Sequence, residues 1–241
     1  MRLSILLTVC VYSASQSVKL PPNFQKCNRK DPDFQKCVLE AAQSGLSQLT
    51  KPFEEVSLPT LDPLDVVELR VGTASKVVNF DQKNCKLYGI DKTEFSKFEF
   101  DFEKKSLYAE GVVPELQKNC DYELEGKILL LPLTGTVPSE VSIKNMTVTA
   151  LSHYEETKKG NRTFLKFGNT KLTLDPGFMS FYFGNILHND QFSEKINEDF
   201  NRNWEKVFGD FKEEYEENFG VIVENLINRF FSKVSLEEAF D

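Results

Sequence analysis

The sequence lacks the short motifs that mark the common enzyme classes. It has no H-E-x-x-H pair for zinc, no G-x-S-x-G turn for a nucleophilic serine, no Walker lysine loop and no dinucleotide-binding glycine pattern. Only two histidines, His153 and His188, could serve acid–base chemistry. Carboxylates are plentiful but fall mostly on predicted solvent-facing sides of helices and strands, so no glycosidase pair is indicated. We predict a protein that is not an enzyme and uses no metal and no cofactor.

Clustered positive charge is also missing. The chain has 29 lysines and arginines against 37 aspartates and glutamates, which gives a formal net charge of −8 at pH 7. A surface that binds phosphate groups needs lysines and arginines grouped together. The charge balance therefore argues against nucleic acid and against an anionic membrane surface as partners.

No apolar run is long enough to span a bilayer. The run from Leu3 to Tyr12, in "MRLSILLTVCVYSASQS", has about half of the roughly 20 residues that a spanning helix needs. The basic Arg2 before the run and the small residues after it are typical of a secretory signal peptide. We predict a signal peptide at residues 1–17 and a secreted, extracellular mature chain of residues 18–241 with no membrane span.

Cysteine is scarce, and secretion decides how it is interpreted. Cys10 lies in the predicted signal peptide, which leaves four cysteines in the mature chain. No C-x-x-C unit suggests a metal site, and an even count in an oxidising compartment favours disulfides. We predict that Cys27 and Cys37 form a bridge, worth about 2–3 kcal/mol on the chain-entropy estimate. Cys85 and Cys120 either form a second bridge or remain as two free buried thiols.

The Cys27–Cys37 segment, "FQKCNRKDPDFQKCVLEAAQSG", also contains a helix start. Asp31 can cap a helix, and Pro32 suits the first helical position because it has no N–H group to leave unpaired. Apolar residues then recur at helical spacing as far as Leu49. The bridge is thus predicted to tie the N-terminal arm to the first or second turn of this helix.

The middle of the chain is predicted to form a meandering antiparallel sheet. The segment "KFEFDFEK" alternates phenylalanine with acidic residues, as expected for a sheet with one apolar face. In "SEVSIKNMTVTALSHYEE" the apolar parity changes, which predicts a bulge near Lys144 or Asn145. A turn is predicted at Gly168–Asn169, and Gly126 is a candidate bulge. Two N-glycosylation sequons, at Asn145 and Asn161, also fall in this region and predict exposed positions.

The last fifty residues change to a helical period. Aromatic and aliphatic residues recur every three or four positions from Phe192 to Phe230, with polar residues between them. An unbroken helix of this length would run on the order of 60 Å, so we predict a break at Gly209 or Gly220.

Phenylalanine is the one marked excess, with 21 residues against 7 tyrosines and one tryptophan. Because phenylalanine has no polar atom, this excess indicates a large, strictly apolar interior where the sheet curls around the helix. Patterning alone leaves open whether that interior is a filled core or a hollow tunnel. The candidate tunnel-wall residues are Phe98, Phe100, Phe102, Phe178, Phe181, Phe183, Phe200, Trp204, Phe208 and Phe211.

Several segments, taken in order, resemble one known family. They are the signal peptide, "FQKCNRKDPDFQKCV", "LPTLDPLDV", "KLYGI", "YELEGKILLLPLTG", "IKNMTV", "YFGNIL" and "INEDFNRNW". Together they resemble the insect takeout and juvenile-hormone-binding protein family over nearly the whole chain. The paired cysteines around Asp-Pro and the stretch from Gly126 to Gly135 are the more specific of these pieces.

The resemblance implies an α+β fold in one elongated domain, residues 18–241, similar in build to the tubular lipid-binding proteins. A strongly curved antiparallel β-sheet would wrap around a long C-terminal α-helix, with a disulfide-tied N-terminal helix. Members act as extracellular carriers, in a haemolymph-like fluid, of sesquiterpenoid hormones or fatty-acid-like lipids. We expect a small hydrophobic ligand bound by desolvation. The alternative is a secreted signalling protein, rhythm- or feeding-related, that acts through a cell-surface receptor without an obligatory ligand.

The sequence departs from the hormone-binding subset at one point. That subset resembles a protein whose second disulfide reaches the long C-terminal helix, whereas residues 190–232 of this chain contain no cysteine. The departure favours a takeout-like member with an unassigned lipophilic ligand.

Overall fold

The computed structural model describes residues 18–241 apart from 22, 72–77, 129–130, 185 and 187–188. The predicted signal peptide, residues 1–17, lies outside the described residues. The helices are α1 (Phe34–Ser47), α2 (Asp190–Arg202), α3 (Trp204–Phe231) and α4 (Leu236–Ala239). The strands are β1 (Leu64–Val71), β2 (Val78–Tyr88), β3 (Glu94–Asp101), β4 (Ser106–Ile128), β5 (Leu131–Lys159), β6 (Arg162–Asp175) and β7 (Phe178–Phe183).

Two very long strands, β4 and β5, organise the sheet. They pair antiparallel from Ser106↔His153 to Ile128↔Leu131. The outer edge of β4 is shared by β3 and β2, and the outer edge of β5 is shared by β6 and β7. Strand β1 pairs with β2, and α3 packs against both β6 and β1. The sheet therefore curls until its two sides meet the same helix, which confirms the predicted α+β architecture.

The apolar parity of β5 changes at Asn145, as its sequence indicates, but the bulge predicted near Lys144 or Asn145 is wrong because the pairing with β4 continues without a register shift. Asn145 has a positive φ of 50°, and the buried side chains change from Val141 and Ile143 before it to Met146 after it. Strand β4 changes parity at the same level, beside Pro114, so its register with β5 is preserved. The long hairpin thus bends at one level while its apolar side chains stay on the inner face.

The turn predicted at Gly168–Asn169 is wrong, since β6 continues through it. Asn169 has a φ of 55°, and the pairing with β5 shifts between Leu151 and His153, which leaves one extra residue in β6. This bulge changes which residues point inward, so the strand passes the position without reversing. Gly126, by contrast, lies in regular register with Leu133 and is not a bulge.

Helix α1 begins two residues later than the sequence predicts. Its N-cap position is Asp33, and Asp31 instead accepts a hydrogen bond from the backbone N–H of Asp33 at 2.9 Å. Cys37 lies in the first turn of α1, and its disulfide to Cys27 ties the N-terminal arm to that turn as predicted. A second disulfide joins Cys85 on β2 to Cys120 on β4, so neither cysteine is a free thiol.

The C-terminal helix breaks at Asn203, not at Gly209 or Gly220. Asn203 leaves helical geometry with φ −118° and ψ 30°, and its Nδ2 donates to the carbonyl of Asp199 at 2.9 Å. Gly220 serves a different purpose, because a Cβ there would lie 3.2 Å from the carbonyl oxygen of Thr170 on β6. Its missing side chain allows α3 to approach the sheet closely.

Polar side chains of the C-terminal helices bond directly to the backbone edges of β6 and β7. Asn228 accepts from the N–H of Phe167 at 2.7 Å and donates to its carbonyl at 2.9 Å. Five more side chains of these helices accept a hydrogen bond from a backbone N–H of the strands. The pairs are Asn197 with Phe183, Asn201 with Phe181, Glu216 with Leu174, Glu224 with Thr170 and Glu237 with Thr163. These bonds cover edge groups that would otherwise need a neighbouring strand.

Among the described residues, no helix is long and apolar enough to cross a membrane. Both sequon asparagines are exposed. Asn145 lies at the bend of β5, and Asn161 lies in the turn between β5 and β6. Glycosylation at these two positions stays a prediction.

Candidate functional site

A cavity of about 400 Å³ lies between the inner face of the sheet and the helices α1 and α3. Its size falls within the range of about 300–1,000 Å³ that small-molecule sites occupy. The sheet contributes a row of small and medium apolar side chains, and the helices contribute larger ones. Representative wall residues are Ala109, Val113, Leu116, Val141, Ile143, Met146, Val148, Ala150, Leu172 and Leu174 from the strands, and Val38, Ala41, Leu46, Phe208, Phe219, Ile222, Leu226 and Phe230 from the helices.

The residues that line the cavity explain why it is hollow. Ala109 and Ala150 lie on β4 and β5, and Ala41 and Ala42 lie on α1. Short side chains on both facing layers cannot reach across the space between them. Because the cavity lining is almost entirely apolar, a ligand bound here would be held chiefly by removal of its own apolar surface from water.

Of the candidate wall phenylalanines, Phe98, Phe100 and Phe208 line this cavity. Phe100 also belongs to a dense aromatic cluster at one end of the cavity, with Phe240 at 5.1 Å and Phe231 at 5.8 Å between ring centroids. Phe102 joins that cluster but does not line the cavity, because it follows the end of β3 and packs on Phe100 at 5.9 Å. This end of the cavity is therefore solid.

Four more candidates lie around a second, much smaller cavity of about 30 Å³. They are Phe181, Phe183, Phe200 and Phe211. Phe183 packs edge-on against Phe200 at 5.4 Å, so most of the space between β7 and α2 is filled by these rings. Both cavities share Met179, Phe208 and Tyr215 in their walls, which places them next to each other.

Phe178 and Trp204 do not line either cavity. Phe178 is 45% exposed and contacts Trp204 at 6.0 Å between ring centroids, on the outer side of β7. Phe178 is separated from Phe181 by three positions, an odd number, so in an extended strand the two side chains point to opposite faces.

The site also contains a buried polar cluster that the sequence predictions missed. Lys118 on β4 is 2% exposed, and its Nζ donates to Gln82 Oε1, to Tyr122 Oη at 3.2 Å and to Tyr215 Oη at 3.1 Å. The Nε2 of Gln82 donates to Tyr215 Oη at 3.0 Å. Lys118 and Tyr215 line the larger cavity, and Gln82, Tyr122 and Tyr215 line the smaller one. The cluster therefore stands where the two cavities meet.

The two tyrosines of this cluster have opposite electrostatic tendencies. Burial raises the pKa of Tyr122 well above its ordinary value, and its hydrogen bond to Tyr215 adds to that increase. Burial alone would raise the pKa of Tyr215 as well, but the charge of Lys118 and the hydrogen bonds from Tyr122, Gln82 and Lys118 outweigh it and lower that pKa. Tyr215 is therefore the more acidic of the two phenols, and its hydroxyl lies 3.1 Å from the Lys118 ammonium group.

A signal for this cluster is present in the sequence. In "ELQKNCDYELE" the residues Leu116, Lys118, Cys120 and Tyr122 share one parity, and three of them are residues that commonly face a core. A lysine at the inward parity of an otherwise apolar strand marks a buried charge, and buried charges point to specific sites.

A second polar group lies on the β6 side of the cavity. Ser152 and Thr170 line it, and their hydroxyl oxygens are 2.7 Å apart. The Oγ1 of Thr170 donates to Glu224 Oε2 at 2.8 Å. Because these groups bond to one another, this wall carries polar atoms that already have partners.

The fold and the cavity together define a class of protein in which a rolled sheet and a long helix enclose an apolar site. The family model for "Haemolymph juvenile hormone binding protein (JHBP)" matches residues 5–241. The chain belongs to this family, as the resemblance in its motifs predicts. Proteins of the family are carriers of hydrophobic ligands rather than enzymes.

Solved structures agree on the fold. The crystal structure of Epiphyas postvittana Takeout 1 superimposes with a TM-score of 0.76 at 23% identity, covering 90% of this chain and 99% of that one. A lipopolysaccharide binding protein matches with a TM-score of 0.41 and 11% identity over 79% of this chain and 38% of its own, which is too weak to support a conclusion. None of the curated protein sequences compared with the chain matches it.

Proposed function

We propose that this protein is a secreted extracellular carrier that binds a small hydrophobic ligand in the cavity between sheet and helix. The observation that carries the proposal is the apolar cavity of about 400 Å³ itself, with a lining that is almost free of polar surface. Transfer of a terpenoid or acyl chain into such a space gains about 0.8 kcal/mol for each CH₂ group removed from water. The mature chain would act as one domain, residues 18–241.

Two disulfides support an extracellular location. The chain forms Cys27–Cys37 and Cys85–Cys120, and disulfides persist in oxidising compartments.

The proposed ligand is a takeout-type lipophile of unassigned identity rather than juvenile hormone. The second disulfide joins β2 to β4 and does not reach the C-terminal helix, as the sequence departure from the hormone-binding subset implies.

The test is to identify what the purified protein carries. The secreted protein would be expressed in insect cells, extracted with organic solvent and analysed by mass spectrometry. It would then be titrated with a panel of terpenoids and fatty acids against a fluorescent lipid probe. We expect a co-purified lipid near one per protein, or saturable displacement of the probe. A protein that is empty and binds no member of the panel would contradict the carrier proposal and favour the receptor-directed signalling alternative.

A further inference from the structure

The cavity wall carries one buried positive charge. Lys118 lies on the inward face of β4 between Leu116 and Cys120, and the whole residue is 2% exposed. It is the only cation among the described residues that line the cavity. An ammonium group withdrawn from water loses much of its hydration free energy, so the surroundings of Lys118 must supply that stabilisation.

The partners of Lys118 in the described part of the chain are neutral groups, and no ion pair formed there includes it. Its three N–H donors face the oxygens of Gln82, Tyr122 and Tyr215, and its Nζ lies 4.8 Å from the ring centroid of Tyr215. These groups solvate the ammonium but do not fully cancel its charge. The site therefore has a positive potential that extends into the apolar cavity.

The one described carboxylate in the cavity lining does not compensate this charge. Glu110 Oε2 accepts from Lys97 Nζ at 3.0 Å and from Tyr108 Oη at 2.9 Å. Its charge is already balanced on the side of the sheet where β3 and β4 pair. The cavity thus combines a long apolar wall with a single unmatched positive group at the junction with the smaller cavity.

We propose that Lys118 binds the negatively charged head of the ligand, and that the ligand class is a long-chain monocarboxylic acid. This inference rests on the proposed carrier function and specifies its ligand. A carboxylate in the larger cavity can accept from Lys118 Nζ by taking the place of one of the neutral oxygens that now accept from it, while the chain lies along the aliphatic wall. A dianionic head such as a phosphate monoester would leave one charge unmatched, since the described lining offers one cation.

The first experiment uses the wild-type protein and three ligands with the same chain. Hexadecanoic acid, its methyl ester and hexadecan-1-ol differ only at the head, so they share the desolvation of the chain. Their dissociation constants would be measured at pH 7.5 by displacement of a fluorescent lipid probe. We expect the acid to bind about tenfold or more tightly than the ester and the alcohol, as a charge-assisted hydrogen bond would give.

The second experiment removes the charge. Lys118→Met keeps a side chain of similar length, and we expect it to reduce the affinity for the acid to that of the ester while the ester's affinity stays within about twofold. The matched control is Lys83→Met on β2, an exposed lysine paired with Glu123 at 2.7 Å, which removes the same formal charge away from the cavity. The control should keep the preference for the acid. Circular dichroism and thermal melting would verify that both variants fold.

A third measurement covers the case in which Lys118→Met does not fold. The ¹³C signal of carboxyl-labelled hexadecanoic acid would be followed by NMR in wild-type protein as the pH is lowered. Burial in an apolar cavity would by itself raise the pKa of the carboxyl group, and contact with an ammonium offsets that increase. The bound acid should therefore titrate at or below the pH at which the free acid titrates in water.

The outcomes separate the two proposals. If none of the three ligands binds, the long-chain acid is overturned as the ligand, and the carrier function is contradicted only if the terpenoids of the wider panel also fail to bind. If the ester or the alcohol binds as tightly as the acid, the carrier function stands and the assignment of Lys118 to an anionic head is overturned. The same conclusion follows if Lys118→Met and Lys83→Met retain an equal preference for the acid, or if the carboxyl group titrates above its ordinary pH, as burial without a paired cation would produce.

Discussion

The apolar interior is built differently at its α4 end and in its middle. At the α4 end, aromatic rings from several elements meet, and Phe100 alone contacts Phe102, Tyr154, Phe167, Phe231 and Phe240 at centroid distances of 5.1–6.3 Å. In the middle, aliphatic and small residues such as Ala109 and Ala150 face α3 across open space. Ring size decides whether two facing layers touch, so burial alone does not distinguish a core from a ligand site.

The largest effect on stability is expected in the aromatic cluster at the α4 end. Phe100→Ala removes a ring with five aromatic neighbours in a site that cannot collapse freely, so we expect a loss of about 3–5 kcal/mol in the free energy of unfolding. Urea denaturation measures it. Phe98→Ala is the control, because Phe98 is half-buried, lines the cavity and contacts only the ring of Phe95 among the aromatic pairs of the described residues. An equal loss in both variants would contradict the distinction between solid and hollow regions.

The next largest loss of stability is expected where α3 bonds to the edge of β6. Asn228→Ala leaves the N–H and C=O groups of buried Phe167 without their side-chain partner, and we expect a loss of about 2 kcal/mol. Hydrogen exchange at the Phe167 amide should accelerate at the same time. Asn203→Ala, at the exposed break between α2 and α3, is the control and should leave that amide unchanged. Unchanged exchange in Asn228→Ala would show that the edge contact does not protect the strand.

A smaller effect on stability, but a large one on binding, is expected in the hollow region. Ala150→Phe places a ring in open space, so the free energy of unfolding should stay within about 1 kcal/mol of wild type. The affinity for a fluorescent lipid probe should fall at least about tenfold, because the ring occupies volume that the ligand needs. Severe destabilisation of Ala150→Phe would indicate that this part of the interior is already filled.

The smallest effect on stability is expected from removal of the Tyr154 hydroxyl, which lies inside the aromatic cluster. Among the described residues this buried hydroxyl has no hydrogen-bond partner, and burial, with smaller contributions from Glu156 and Asp101, raises the pKa of Tyr154 to about 12. An unfolded tyrosine titrates near about 10, so the folded state holds the proton more tightly. This contribution to stability is complete below pH 10 and is lost as the pH rises towards 12.

Tyr154→Phe should therefore change the free energy of unfolding at pH 7 by less than about 1 kcal/mol. It should also lose less stability than wild type between pH 10 and pH 12. Parallel urea denaturation series at pH 9 and pH 11 measure this difference. Identical pH dependence in the two proteins would mean that Tyr154 does not keep its proton in the folded state.

The sequence predicted the architecture well because periodicity reports which face of an element is apolar. Alternation in β3, the parity change at Asn145 and the helical stripe after Phe192 each correspond to an observed element. Periodicity reports boundaries less well. The break at Asn203 depends on a local side-chain bond to Asp199, and the bulge at Asn169 depends on its pairing with β5.

The site was harder to predict. The excess of phenylalanine indicated the apolar interior, but phenylalanines mostly fill space, and Phe181, Phe183 and Phe102 pack against other rings. The walls of the larger cavity are mainly leucine, valine, isoleucine and alanine, which carry no distinctive signal in a sequence. Lys118 was detectable in principle from its inward parity, yet its partner Tyr215 comes from a distant helix and could only be found in three dimensions.

The side-chain bonds from the helices to β6 and β7 have one more consequence. Glu216, Glu224 and Asn228 span about 18 Å of helix and meet Leu174, Thr170 and Phe167, which span about 23 Å of strand. Each contact fixes the register of the others, so α3 cannot slide by a turn without losing all three. The same contacts deny a second copy of the chain the backbone groups it would need to add a strand on this side. The protein would thereby resist edge-to-edge association through this side of its sheet.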